Sequence, residues 1–179
     1  VELLVDQPFR KIAGRLTGFT VIEHLSRHQP RTPLVVVSDR SQLPKTAGLI
    51  QVVPRLNVLG LGCRKNITNQ EIQEAFIAFC QRQHLLWRSF QMIASIDRKQ
   101  KEGAVQYLAA TLNIQAKFYS AQQLSAASRH YPESAFVKQT VGVGNVACAS
   151  AEVASGQRAL TERFATPEVT LALGRIKNS

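Results

Sequence analysis

Long apolar runs are the first thing missing from this 179-residue sequence. Stretches such as Leu34-Val35-Val36-Val37 last only a few residues, and a membrane-spanning helix needs about 20. No basic segment followed by an apolar one opens the chain, so no signal peptide is read there. Its first residue is Val1 rather than Met, which reads as a fragment or a processed form. Cysteine is scarce too. Cys63, Cys80 and Cys148 are odd in number, far apart and without a CxxC pair. That argues against a disulfide framework and a zinc cluster, and fits a reducing, cytoplasmic setting. His24 and His28 have helical i,i+4 spacing, but they lack the glutamate of HExxH and a third ligand. No metal is expected of them.

Acidic residues are the other shortage. Twelve Asp and Glu face 22 Lys and Arg, giving a formal net charge of +10 and a pI of about 10.1. Such a surplus points to an anionic partner: nucleic acid, a membrane surface or a polyanionic small molecule. The bases are scattered, with seven against four acids in residues 1–53 and fifteen against eight in residues 54–179. There is no basic tail, no basic amphipathic helix and no strand with interleaved aromatics, so nucleic acid and membrane gain no support. At 45% hydrophobic and 19% charged, the composition is that of a globular protein and excludes a disordered, collagen-like or coiled-coil chain.

Periodicity orders what remains. Residues 10–28 carry Ile12, Leu16, Phe19 and Ile22 near helical spacing and predict an amphipathic helix. Strands are expected over residues 33–39 and 49–53, and Pro54 marks a boundary. The chain thus divides into a partial α/β segment, 1–53, and a domain, 54–179. The domain opens on the apolar run Asn57-Val58-Leu59-Gly60-Leu61-Gly62-Cys63. Thr68 and Glu71 form a capping box ahead of a helix striped with Ile72, Ala75, Phe76, Phe79 and Cys80. Next come a strand over 91–97, a helix with Val105, Leu108, Ala109 and Leu112, a strand over 116–119, and a second capping box at Ser120 and Gln123. Past Pro132, an apolar stretch over residues 137–145 leads to an Ala-rich helix, capped by Asn145 and ended by Gly156. Residues 163–166 and 168–175 read as a hairpin around Pro167. This alternation predicts a three-layer α/β/α domain with a largely parallel, mixed sheet, preceded by the short partial segment.

Three polar-tipped segments lie where strands are expected to give way to helices, so they should gather along one sheet edge. The first is Gly60-Leu61-Gly62-Cys63-Arg64-Lys65-Asn66. Its glycines, helix-start amides and two cations suit an anion, although a tight turn alone would also use such glycines. Cys63 beside Arg64 invites a thiolate, yet no histidine stands near it in sequence. The second is Ala94-Ser95-Ile96-Asp97-Arg98-Lys99-Gln100-Lys101-Glu102. Here Asp97 reads as a general base or as a helix cap. The third is Gly142-Val143-Gly144-Asn145-Val146, either a nest of amide donors or a flexible turn.

In this order, GLGCRK before a helix, ASIDRK with Glu102, KFYS, VGVGNVA and a closing VTLALGRI strand resemble the C-terminal domain of the cobalamin-biosynthesis family CbiG/CobE. The likeness runs from about residue 54 to 176, and residues 1–53 resemble the tail of that family's central segment. One motif departs from the family pattern, with Cys148 where a Glu is usual, so no role of that Glu carries over. Glu152 stands one helical turn later. The resemblance implies cobalt-precorrin-5A hydrolase activity, opening the ring-A δ-lactone of a corrin intermediate with release of acetaldehyde. It implies a polycarboxylate corrin as partner and no cofactor of the protein's own, since cobalt arrives in the substrate ring. On that basis Asp97 is the general base and Lys99 a second catalytic group, with Glu102 orienting Lys99. Arg64, Lys65 and Lys99 hold substrate carboxylates. Gly60, Gly62, Gly142, Gly144 and Asn145 line the oxyanion and anion sites, with Cys63 and Ser95 beside them. The same resemblance suits a non-catalytic carrier of corrin intermediates, a segment of a fused enzyme, or a part that works with an absent N-terminal domain.

Overall fold

In the computed structural model, which describes residues 1–177, the apolar runs near the N-terminus pair as parallel strands. β1 (Glu2–Val5), β2 (Thr20–Ile22), β3 (Leu34–Val37) and β4 (Leu49–Val52) form a sheet in the order β2-β1-β3-β4. Ile22, Leu34 and Val36 make its small core, with Leu4, Leu25, Leu43 and Leu49 packed against them. The amphipathic helix expected over residues 10–28 is replaced by something else. Only α1 (Arg10–Ala13) forms; Gly14 follows, Gly18 sits at φ +83°, and Thr20-Val21-Ile22 joins β1 as a strand. Two glycines and a β-branched triplet outweigh a loose apolar spacing. The side chain of Ile12 lies outside the described ones. Residues 84–89 belong to this first unit, residues 1–55, through backbone bonds from Ser41 N to His84 O and from Leu86 N to Asp39 O, both 2.8 Å.

The second unit comprises residues 56–83 and 90–177. Its sheet has a parallel core of β5 (Asn57–Cys63), β6 (Phe90–Ile96) and β7 (Gln115–Tyr119). β9 (Val169–Arg175) runs antiparallel along the other side of β5, and β8 (Phe164–Ala165) forms the edge, so the order is β7-β6-β5-β9-β8. The mixed sheet and hairpin match the sequence reading.

The helices of this unit are α2 (Asn69–Gln83), α3 (Gly103–Leu112), α4 (Ala121–Ser128), α5 (Ala135–Val141) and α6 (Val146–Ser155). Both capping boxes form. Glu71 Oε2 accepts from Thr68 N and Oγ1 at 2.7 and 2.8 Å, and Ser120 exchanges bonds with Gln123. The whole predicted stripe of α2 is buried. Alternation along β5 then builds the layers. Gly60 and Gly62 face α6, whereas Leu61, Leu171 and Phe164 face the other way, and Phe79 of α2 meets Phe164 edge-on at 5.7 Å. α4 packs on α6 and α3 on α2, completing the α/β/α sandwich. No helix among the described residues is long and apolar enough to cross a membrane.

The third segment is not a strand end. Residues 135–141 form α5, capped by Ser134 and closed by Gly142 at φ +81°. Serine at the N-cap and a left-handed glycine at the C-terminus define one short helix, and they override the strand-like look of the apolar stretch.

Candidate functional site

The carboxyl ends of β5 and β6 open into a single cavity of about 860 Å³ in the second unit. From the end of β5 come Gly62, Cys63, Arg64, Lys65 and Asn66; from β6 and the 3-10 turn after it, Ile96, Arg98, Lys99, Lys101, Glu102 and Gly103. α5 supplies Val137, Thr140 and Val141, and the start of α6 supplies Gly144, Asn145 and Val146. The fourth wall is Arg163, Pro167, Glu168 and Thr170 from the β8–β9 hairpin. Antiparallel pairing explains that wall, because Cys63 at the end of β5 lies opposite Val169 at the start of β9.

This cavity combines charge with apolar surface in its lining. Arg64, Lys65, Arg98, Lys99, Lys101 and Arg163 line it against the acids Glu102 and Glu168, with Ile96, Val137, Val141, Val146 and Pro167 as apolar surface. Lys99 is held close to its partner, Nζ lying 3.8 Å from Glu102 Oε2, and their side chains are only 15% and 9% exposed. Glu102 Oε2 also accepts the Asn66 backbone N–H at 3.3 Å. Arg98 Nη1 donates to the Thr140 carbonyl at 2.9 Å, which ties the turn after β6 to α5. Burial pushes the Cys63 thiol up to about 11, with Lys99 lowering it and Glu102 raising it. At neutral pH that thiol is therefore protonated, which removes the thiolate reading.

Eight of the twelve residues singled out from the sequence line this cavity: Gly62, Cys63, Arg64, Lys65, Lys99, Glu102, Gly144 and Asn145. The other four do not. Gly60 is packed under α6, where a Cβ would lie 2.0 Å from the Ala147 carbonyl oxygen. Ser95 is fully buried and donates its hydroxyl to the Leu61 carbonyl at 2.7 Å, a bond that serves the sheet. Gly142 ends α5, and its N–H donates to Lys138 O. Asp97 is exposed and is absent from the lining, and it caps no helix by its side chain either. The amide nest is also narrower than expected. Asn145 N donates to Ser128 Oγ, and Asn145 Oδ1 caps Cys148 N at 3.0 Å, so neither amide is free for a ligand; of α6 itself, Val146 lines the cavity.

Cys148 is 1% exposed in a core with Ala147, Ala151 and Ala172, away from the cavity lining. Glu152 is elsewhere as well, accepting the Tyr131 hydroxyl at 2.5 Å with His130 Nδ1 at 2.9 Å. The departure at Cys148 thus leaves the cavity wall intact. What the sequence reading missed are Arg98, Lys101, Arg163, Glu168 and Thr170. For the last three, a signal existed in the expected hairpin, since an antiparallel strand starts where its parallel-running neighbour ends.

The family model described as Cobalamin synthesis G C-terminus matches residues 57–174 of this chain. The chain belongs to that family. Among curated relatives, this cobalamin synthesis G C-terminal domain and the segment before it are 29% identical over 160 residues to the cobalt-precorrin-5A hydrolase of Salmonella typhimurium. The match takes in 89% of this chain and 46% of the relative, so the chain spans about half of that protein's length. Among solved structures, CobE of the cobalamin biosynthetic pathway superposes with a TM-score of 0.62 at 24% identity, covering 71% of this chain and 94% of CobE. Protein chiG of Agrobacterium tumefaciens gives 0.54 at 20% identity, covering 69% and 100%. A cobalamin biosynthesis protein G homologue from Sulfolobus solfataricus gives 0.53 at 16%, covering 98% of this chain and 51% of its own. These structures share the fold.

Proposed function

We propose that the cavity binds a polycarboxylate corrin intermediate of cobalamin biosynthesis, and that the chain forms part of a cobalt-precorrin-5A hydrolase. The observation that carries this reading is the composition of the lining, which combines six cations with apolar residues around about 860 Å³. A corrin ring offers a broad apolar face and a rim of carboxylates, which such a lining complements. The identity to the Salmonella hydrolase supports the same reaction class. Cobalt belongs to the substrate in this reading.

The reaction opens the ring-A δ-lactone and releases acetaldehyde. Water adds to the lactone carbonyl, its proton passing to solvent, and negative charge moves onto the carbonyl oxygen. Collapse of that adduct breaks the acyl carbon–oxygen bond and leaves a carboxylate and an alkoxide. C=O formation at the alkoxide breaks the carbon–carbon bond to the ring, so that acetaldehyde departs and the ring keeps the electron pair and takes up a proton. Lys99 makes no hydrogen bond through Nζ among the described residues, so its donors remain available for the carbonyl oxygen. Arg64, Lys65 and Lys101, all exposed at the rim, hold peripheral carboxylates.

The test is a titration with cobalt-precorrin-5A, followed by its absorbance, with acetaldehyde assayed in the same samples. Both a spectral shift and acetaldehyde are expected. A shift without acetaldehyde points to carriage of the intermediate, and no shift rejects the corrin assignment. Affinity should fall roughly tenfold between low salt and about 0.5 M salt, because exposed cations are screened over ~8 Å at physiological ionic strength and less beyond it. Arg64→Ala should weaken binding while changing stability by no more than about 0.5 kcal/mol, since Arg64 is exposed. Equal affinity in the variant and the parent would remove Arg64 from the clamp.

A further inference from the structure

We propose that Glu102 is a positioning residue, one buried carboxylate that fixes Lys99 and the loop over residues 62–66 against each other; its effect on turnover rests on the hydrolase reading. The geometry is specific. A single oxygen, Oε2, receives the Asn66 N–H at 3.3 Å and faces Lys99 Nζ at 3.8 Å, from residues that lie 36 apart and 3 apart in sequence. Two loops that end different strands are thereby joined through one side chain that is 9% exposed.

Other roles fit Glu102 poorly. A general base needs an oxygen open to water, and the Glu102 side chain is only 9% exposed, with Oε2 turned to Asn66 N and Lys99. A direct substrate contact would set a carboxylate against carboxylates. A counter-ion avoids both difficulties. Lys99 lies in a lining that also carries Arg64, Lys65, Arg98, Lys101 and Arg163. Without Glu102 the lining would keep Glu168 as its acid against six cations, and repulsion would carry the Lys99 ammonium outward on its flexible stem. At 3.8 Å the attraction holds Lys99 without consuming its N–H donors in a hydrogen bond.

Cys63 supplies a reporter in the free chain. Its thiol is lowered by Lys99 and raised by Glu102, with the Lys99 effect the larger of the two. Alkylation of Cys63 by iodoacetamide at pH 8.5, read on its own peptide by mass spectrometry, therefore follows where Lys99 sits. Lys99→Met should slow it, because the field that favours the thiolate is removed. Glu102→Gln keeps an acceptor for Asn66 N and removes the charge. If Glu102 positions Lys99, this variant loses both fields and should also slow alkylation, with Glu102→Asp restoring part of the rate. A faster rate in Glu102→Gln means that Lys99 stays in place unaided, and overturns the proposal. In turnover, Glu102→Gln should fall towards the Lys99→Met level, and the double variant should be no slower than Lys99→Met alone. Additive losses overturn it too. If the parent chain shows no turnover, the hydrolase reading fails by itself, while the alkylation rates still decide the role of Glu102.

Discussion

Lys99→Met is expected to slow acetaldehyde release by about 10²- to 10³-fold while weakening corrin binding only a few-fold. The asymmetry follows from where charge appears. A bound lactone carbonyl is neutral, but the adduct formed by water carries an oxyanion, so a donor aimed at that oxygen contributes mainly in the transition state. Removing one preorganised oxyanion donor typically costs about 10²- to 10³-fold in kcat. Lys99 meets the structural requirement: it lines the cavity, its side chain is 15% exposed, and its counter-ion stands 3.8 Å away without taking a hydrogen bond. Binding suffers less, because Arg64, Lys65, Arg98, Lys101 and Arg163 remain to hold carboxylates. Asp97→Asn is the paired experiment. Asp97 is exposed and outside the lining, so turnover in that variant should stay within a few-fold of the parent. The measurement is steady-state acetaldehyde release with kcat and KM separated. A Lys99→Met enzyme within about threefold of the parent would demote Lys99 to one more carboxylate holder. A 10²-fold loss in Asp97→Asn would reinstate Asp97 as the base that activates water.

Local chemistry explains which parts of this molecule could be read from sequence. Both capping boxes and the α2 stripe depend on residues three or four apart, and all formed as expected. Asn145 and Gly156, read as the two ends of α6, do those jobs. The failures came where two local patterns competed. Residues 10–28 offered helical spacing, but Gly14, Gly18 and the β-branched Thr20-Val21-Ile22 decided for a turn and a strand. Residues 137–141 look strand-like, yet Ser134 and Gly142 bound a helix.

In the site, motif membership and cavity membership proved to be different things. Gly62 at the end of β5 and Arg64, Lys99 and Glu102 in the loops beyond β5 and β6 reach the cavity, whereas Gly60 and Ser95 lie within those strands and serve packing. Period-2 alternation and depth along the strand separate these roles, and a motif string contains neither. Arg163 and Glu168 belong to no strand-to-helix tip, although the hairpin around Pro167 is legible in the sequence. Its antiparallel strand in fact returns to the active edge.

Gly60→Ala is expected to destabilise the second unit by about 3 kcal/mol or more, an overpacking cost at the upper end of the usual range. Gly60 lies in the middle of β5, and the added Cβ would stand 2.0 Å from the Ala147 carbonyl oxygen, 2.7 Å from Ala151 Cβ and 3.0 Å from the Ala147 carbonyl carbon. Two of these three atoms are backbone, so no side-chain rotation relieves the clash. α6 as a whole must lift away from the sheet. It cannot do so cheaply, because Ser150 Oγ donates to the Ala94 carbonyl of β6 at 2.9 Å, and Gly174 of β9 is pressed as closely against Ala151. The seam of glycines against alanines thus fixes how near α6 approaches. Since α6 begins at Val146 in the cavity wall, its displacement should also weaken corrin binding. Gly103→Ala serves as the control for glycine replacement. Nothing lies within 4 Å of a Cβ built there, and its φ is outside the left-handed region, so Ala at the first turn of α3 should be neutral or stabilising by about 0.5 kcal/mol. Denaturant midpoints for the two variants and the parent decide the matter. A Gly60→Ala midpoint within experimental error of Gly103→Ala would mean that α6 slides freely over β5, and the close approach of helix and sheet would not be what shapes the cavity.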